Sequence, residues 1–252
     1  PTKLNAMSVD VAREIISTFQ QLDKDDSVKV IVLTGAGRGF SAGADMDNLS
    51  DISANNKEVS NDKPEERDYE TNGMSEWEGQ YSYFPSVPKP IIAAINGPAA
   101  GVGLIMSLYC DMRVASEDAV FSTAFSKRGL IAEWGVGWIL PRIIGVAHTM
   151  DIMMTARKFD AAEAERIGLV NRCFAAENFL EHVLAYAEDI AKNVSPRSVK
   201  IMKRQIYTAL GEDIQTNLDS SMEEMLQSFG SEDFKEGVKH FIEKRPAKFT
   251  GK

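Results

Sequence analysis

Apolar positions recur in two rhythms along the chain, and their alternation predicts an α/β fold. After Ser8, a fair helix N-cap, Ala12, Ile15, Ile16, Phe19 and Leu22 fall on one helical face. Asp23–Ser27 ends that helix, and Val28–Thr34 follows as an apolar run with the character of a buried strand. A second run, Ile91–Ile95, is led in by the rigid Val87-Pro88-Lys89-Pro90. The turn cluster Asn96-Gly97-Pro98-Ala99-Ala100-Gly101 comes next, then a helix from near Gly103 and a short strand over Asp111–Ala115. Beyond it, Ala119–Ser122 reads as a strand and Phe125–Gly129 as a turn. Leu130–Trp138 is an apolar segment interrupted by Glu133. Asp160 caps a short helix that stops at Gly168, and Leu169–Phe174 is the last strand.

From about Glu177 the rhythm is wholly helical. Ser195-Pro196 is an N-cap followed by Pro at the first helical position. Met222, Met225, Leu226 and Phe229 share a face that Gly230 ends, and Ser231 opens a helix running to about Lys244, before Pro246. The pattern divides the chain into a strand–helix core, 1–190, and a helical C-terminal region, 191–252. One stretch has neither rhythm: 48–76 is rich in Asp, Glu, Asn, Ser and Lys and predicts a loop or a loosely held helix. The aromatic cluster Trp77, Tyr81, Tyr83 and Phe84 after it reads as core.

Composition narrows the classes. At 252 residues, 44% hydrophobic and 26% charged, the chain matches an ordinary globular protein, and no apolar run is long enough to span a membrane. A formal net charge of −9 argues against a general nucleic-acid surface, so an anionic ligand needs a local cluster of Lys and Arg. Cys110 and Cys173 are too few for a disulfide framework and lack metal-ligand spacing. They read as buried structural thiols, as in a reducing compartment. No signal peptide is visible, and the expected location is cytoplasmic. Because the chain opens on Pro1 rather than Met, a preceding leader stays open.

Both buried runs feed turns of small residues. A small-residue turn entering a helix leaves backbone N–H groups pointing outward, and these can hold a developing negative charge such as a thioester enolate oxygen. The plain alternative is a tight turn between two core elements. The pair GRGFSAGAD (37–45) and KPIIAAINGPAAGVG (89–103), in this order and at this separation, resembles the crotonase family, the enoyl-CoA hydratase/isomerase superfamily. The likeness runs from LNAMS (4–8) to FIEKRPAKF (241–249), nearly the whole chain.

That resemblance implies a spiral of strand-strand-helix units with a C-terminal helical trimerisation region. It implies a homotrimer or a hexamer built as a dimer of trimers. A strand or two would precede Leu4. The substrate would be an acyl-CoA thioester, with no separate cofactor because CoA belongs to the substrate, and no metal. The oxyanion hole would be the backbone amides of Ala42 and Val102. Asp45 and the backbone of Ala42, Gly43 and Ala44 would lie beside the CoA adenine and pantetheine, with Lys3 and Leu4 near the nucleotide. Phe241 and Lys244 would reach the CoA of the same or a neighbouring subunit. For Lys3 and Lys244 an ordinary solvated lysine is the alternative. The 48–76 stretch would border the acyl pocket, and the 77–84 aromatics could line an acyl tunnel.

The catalytic side chains depart from the hydratase pattern. A hydratase of this kind carries two glutamates that position water, and their places here are Ile105 and Phe125. Glu133 remains, in apolar surroundings that raise a carboxylate's pKa. Its position matches the single glutamate of the peroxisomal-type Δ3,Δ2-enoyl-CoA isomerases. The resemblance therefore implies transfer of a proton from C2 to C4 of a 3-enoyl-CoA by Glu133; a structural ion pair with Arg142 or Lys127 is the alternative. Other readings are a hydratase or an acyl-CoA hydrolase on the same scaffold, a non-catalytic acyl-CoA-binding protein, and a serine hydrolase. The last rests on Gly39-Phe40-Ser41-Ala42-Gly43, which fits G-x-S-x-G. Its Ser41 does not sit directly between strand and helix, and His148, His182 and His240 have no active-site context.

Overall fold

A computed structural model describes residues 1–55, 71–74, 77 and 79–252. Helix α1 (Val9–Lys24) starts at Ser8, whose hydroxyl accepts from the Val11 amide; its apolar face buries Ala12 and Phe19 against the core. Strand β1 (Ile31–Thr34) is shorter than the apolar run that predicts it. Of the stretch 48–76, residues 48–55 belong to helix α2 (Met46–Asn55), and the rest apart from 71–74 lies outside the described residues. Strand β2 (Ile91–Ile95) is buried at every position. After it come β3 (Ala99–Ala100), α3 (Val102–Leu108), β4 (Met112–Ser116) and β5 (Val120–Ser122). Helix α4 (Val136–Thr155), with a kink at Gly145, precedes β6 (Phe159–Asp160), α5 (Ala161–Arg166) and β7 (Arg172–Phe174). Asp160 caps α5 by accepting from the Glu163 amide.

A parallel sheet in the order β1-β2-β4-β7 is pinned by Ile31 opposite Ile91, Ile92 opposite Met112 and Val114 opposite Arg172. Both faces of this sheet are covered, which explains why β1 and β2 read as continuous apolar runs rather than alternating ones. Ile91, Ala93 and Ile95 face the main core, while Ile92, Ala94 and Val114 face Phe179, Val183 and Ala187 of α6 (Phe179–Asn193). A second sheet, β3-β5-β6, lies at the outlet of β2 and carries the turn residues of the site. Strand–strand–helix units thus recur along the core, and helices α7 (Pro196–Thr208), α8 (Ile214–Phe229) and α9 (Glu232–Glu243) follow. Ser195 and Ser231 cap α7 and α9 as their sequence predicts. Gly230 ends α8 in an ordinary right-handed conformation, and the left-handed stop falls instead on Lys244 after α9.

The aromatic cluster is core. Trp77, Tyr81, Tyr83 and Phe84 are all buried, and Trp77 meets Tyr109, Trp138 and Tyr207 edge-on. Cys110 is buried and Cys173 half-buried, each donating to a backbone carbonyl. Among the described residues no helix is long and apolar enough to cross a membrane.

Candidate active site

The two glycine turns meet. Asn5 and Asn96 hold the first of them from either side. The Asn5 amide donates to the carbonyls of Ala36 and Gly39, at 3.0 and 2.8 Å. The Asn96 amide donates to those of Gly35 and Gly37, both at 2.9 Å. The second turn then packs against the first with no room for side chains. A Cβ on Gly103 would lie 2.6 Å from Ser41 Cβ, and one on Gly43 would lie 2.7 Å from the Ala100 oxygen. The same Cβ on Gly43, where φ is +94°, would lie 3.4 Å from the Val102 nitrogen. Gly43 thus lets the backbone of one turn reach the helix start of the other.

Which amides are left over decides what this junction can bind. Val102 is the first residue of α3, so its N–H has no partner within the helix. Gly101 takes the positive φ of the turn, which leaves Val102 at negative φ as a β-branched residue needs. The Ala42 amide, in contrast, donates to the Leu4 carbonyl at 2.9 Å. This corrects the expectation that Ala42 offers a free donor: the N-terminal segment, with Leu4 and Asn5 both left-handed, crosses the turn and takes that proton. Two residues on, Met7 donates to the Gly43 carbonyl and accepts from the Asp45 amide, and the Ala44 N–H between them has no partner among the described residues. The free pair at the junction is therefore Ala44 and Val102.

Both residues line a cleft of about 390 Å³, together with Lys3, Gly43, Asp45, Gly101, Phe125, Arg128, Leu130 and Glu133 among others. Ala42 also lines it, though its amide is spoken for. At the mouth, Lys3 Nζ bonds Asp45 at 3.0 Å and Asp47 at 2.6 Å. These carboxylates raise the Lys3 pKa, while the Asp47 amide and then Lys3 lower that of Asp45. Leu4 contributes backbone that orders the turn rather than a wall of the cleft.

Glu133 reaches the cleft from a short turn between Leu130 and α4. Its amide donates to the Ile131 carbonyl and its own carbonyl accepts from Val136, both at 3.0 Å. Among the described residues its half-buried carboxylate has no hydrogen bond or ion pair. Arg142 lies instead over the Trp138 ring and donates to the Trp138 carbonyl. Desolvation alone raises the Glu133 pKa. The two places of the paired-glutamate pattern stay apolar: Ile105 is buried within α3, and Phe125 is a buried wall of the cleft.

The nucleophilic serine reading fails on geometry. Ser41 is buried, its hydroxyl donates to the Asn5 carbonyl at 2.8 Å and accepts from the Gly43 amide. His148, His182 and His240 lie on α4, α6 and α9, and none lines the cleft. Phe241 and Lys244 are not brought to the cleft within the chain; Phe241 is exposed on α9 beside a separate cavity shared with α7 and α8. Sequence reasoning missed Arg128 and Leu130 as cleft residues. Their only signal was their place between Phe125 and Glu133.

The same arrangement of turns, sheet and helical tail occurs in known proteins. The family model described as enoyl-CoA hydratase/isomerase matches residues 1–252. The chain is 38% identical over 212 residues to a protein of Mycobacterium bovis named probable enoyl-CoA hydratase, covering 83% of this chain and 72% of that one. It is 31% identical over 261 residues to the 1,2-epoxyphenylacetyl-CoA isomerase of Escherichia coli, covering 100% and 92%. The crystal structure of an enoyl-CoA hydratase from Mycobacterium marinum superposes with a TM-score of 0.83 at 31% identity, covering 100% of this chain and 92% of that one. The chain belongs to the enoyl-CoA hydratase/isomerase family and carries the fold of its solved members.

Proposed function

We propose that this acyl-CoA enzyme shifts the double bond of a 3-enoyl-CoA to the 2-position, with Glu133 as its single acid–base group. The observation that carries the reading is the half-buried Glu133 carboxylate, unpaired among the described residues, on a cleft that Ala44 and Val102 also line, where the two places of the paired glutamates are Ile105 and Phe125. Glu133 removes a proton from C2, and the C–H electron pair moves into the thioester to give an enolate. The amides of Ala44 and Val102 hold the enolate oxygen. Collapse of the enolate re-forms the carbonyl and places the double bond between C2 and C3, while C4 takes the proton back from Glu133. No water is consumed, so one mobile carboxyl is enough. Lys3, with Asp45, stands at the mouth where the nucleotide end of CoA would leave the cleft.

Hydration of a 2-enoyl-CoA needs a second group to orient water. Thr123, the one hydroxyl side chain on the cleft wall among the described residues, donates to the Ile152 carbonyl at 2.8 Å. Isomerisation of 3-enoyl-CoA is therefore expected to exceed hydration of 2-enoyl-CoA, measured on the same preparation by loss of the 3-enoyl thioester and by appearance of the 3-hydroxy product. Hydration as the faster reaction would overturn the reading. The assembly we propose is a homotrimer or a dimer of trimers.

A further inference from the structure

The turn that delivers Glu133 is an unusual piece of backbone. Trp134 has φ +53° and Gly135 φ +73°, two successive left-handed residues between Glu133 and the first turn of α4. Tryptophan rarely adopts such a conformation unless its surroundings impose it. One contact supplies the imposition. Tyr109, immediately after the last residue of α3, donates its hydroxyl to the Trp134 carbonyl at 2.6 Å. The same hydroxyl fills the space beside Gly135, where a Cβ would lie 2.5 Å from it. Tyr109 is itself buried and set edge-on against Trp77 at 6.4 Å, so its ring has little freedom.

Helix α3 makes this contact matter for chemistry. Every residue of α3 is buried, so the helix is a fixed strut. Its first residue, Val102, presents the free amide to the cleft, and Tyr109 stands at its far end, about 10 Å away at 1.5 Å per residue. One rigid element thus sets both the amide that meets the thioester oxygen and the tether of the turn that carries the carboxylate.

We propose that Tyr109 is a positioning residue for Glu133, fixing through the Trp134 carbonyl the turn that aims the carboxylate at the substrate. The proposal rests on the reading of Glu133 as the base. A tyrosine that only satisfied a buried carbonyl would affect stability and leave the catalytic step alone. A positioning tyrosine affects kcat, because a misplaced base costs rate without weakening binding.

The experiment compares wild type with Tyr109→Phe, Gly135→Ala, the double variant and Glu133→Gln. It reads kcat, KM and the kcat–pH profile for 3-enoyl-CoA isomerisation, with thermal melting as a check on folding. Tyr109→Phe keeps the ring and its packing and removes only the hydroxyl. Its kcat is expected to fall by about 10-fold to 100-fold, with KM within about twofold, and its acid limb is expected to move to lower pH as water reaches the carboxylate. Gly135→Ala presses on the same hydroxyl, so its effect and that of Tyr109→Phe should combine to less than the product of the two. Wild-type kcat and an unmoved acid limb in Tyr109→Phe, with activity lost in Glu133→Gln, would overturn the positioning role alone. So would a loss confined to KM. Activity retained in Glu133→Gln would overturn the reading of Glu133 itself, and the role of Tyr109 with it.

Discussion

Glu133 acts as a base only when ionised, and its surroundings oppose ionisation. Burial among apolar neighbours raises its pKa, with no cationic partner among the described residues to lower it. Activity should therefore fall as pH drops through a value above the ordinary glutamate pKa of about 4.3. Stability carries the opposite sign. The folded state holds this proton more tightly than the unfolded one, so the contribution of Glu133 is present at low pH and is lost as pH rises through its folded pKa. Glu133→Gln is expected to melt no lower than wild type at neutral pH, while the acid limb of kcat vanishes with the activity. An acid limb at the ordinary glutamate value would show that the group in control is solvated. Glu133 was legible in the sequence because a lone carboxylate in an apolar segment is a local signal. The free amide of the first turn was not. Whether Ala42 or Ala44 keeps its N–H depends on Leu4 and Met7 crossing from the N-terminal segment, and no local spacing encodes that crossing.

At the scale of elements, strands and helices were legible where one physical signal dominated. Continuous apolar runs gave β1 and β2, and Ser8, Asp160, Ser195 and Ser231 gave helix starts through a side-chain oxygen that accepts from a backbone N–H. The attachment of the helical tail was not legible, because a buried charged side chain is part of it. Lys203 on α7 is buried, and its Nζ donates to the carbonyls of Phe84 and Lys89 and to Asp111 at 2.8 Å. Asp111 in turn accepts from the Ile91 amide at 2.7 Å, so α7 is tied to the entrance of the strand that feeds the site. Lys203→Met leaves the half-buried Asp111 without its cation, a change expected to cost up to about 3 kcal/mol. Denaturant unfolding should register that loss, and Lys203→Met with Asp111→Asn should recover part of it. A variant as stable as wild type would mean that the tail is held by packing alone.

The whole molecule leaves its C-terminal helices unusually apolar on the outside. Met202 and Ile206 on α7, Leu218, Met222 and Leu226 on α8, and Phe241 and Ile242 on α9 are all exposed in the single chain. Exposed apolar side chains on three successive helices are what an interface between copies would cover, and they fit the proposed homotrimer or dimer of trimers. Light scattering at micromolar concentration should give three or six times the chain mass, and a monomer would contradict it. The sequence showed this face as an apolar stripe without a partner, since a partner copy leaves no local mark. Glycine turns, α3 and the Glu133 turn converge on one cleft, and the reaction proposed there is a proton transfer by one carboxylate. Exchange of the C2 proton in deuterium oxide, followed for wild type and Glu133→Gln with a bound 3-enoyl-CoA, tests that claim most directly. Loss of the base should slow exchange and isomerisation together by ~10²–10⁴-fold, with thioester affinity little changed. Exchange at the wild-type rate in Glu133→Gln would show that another residue moves the proton.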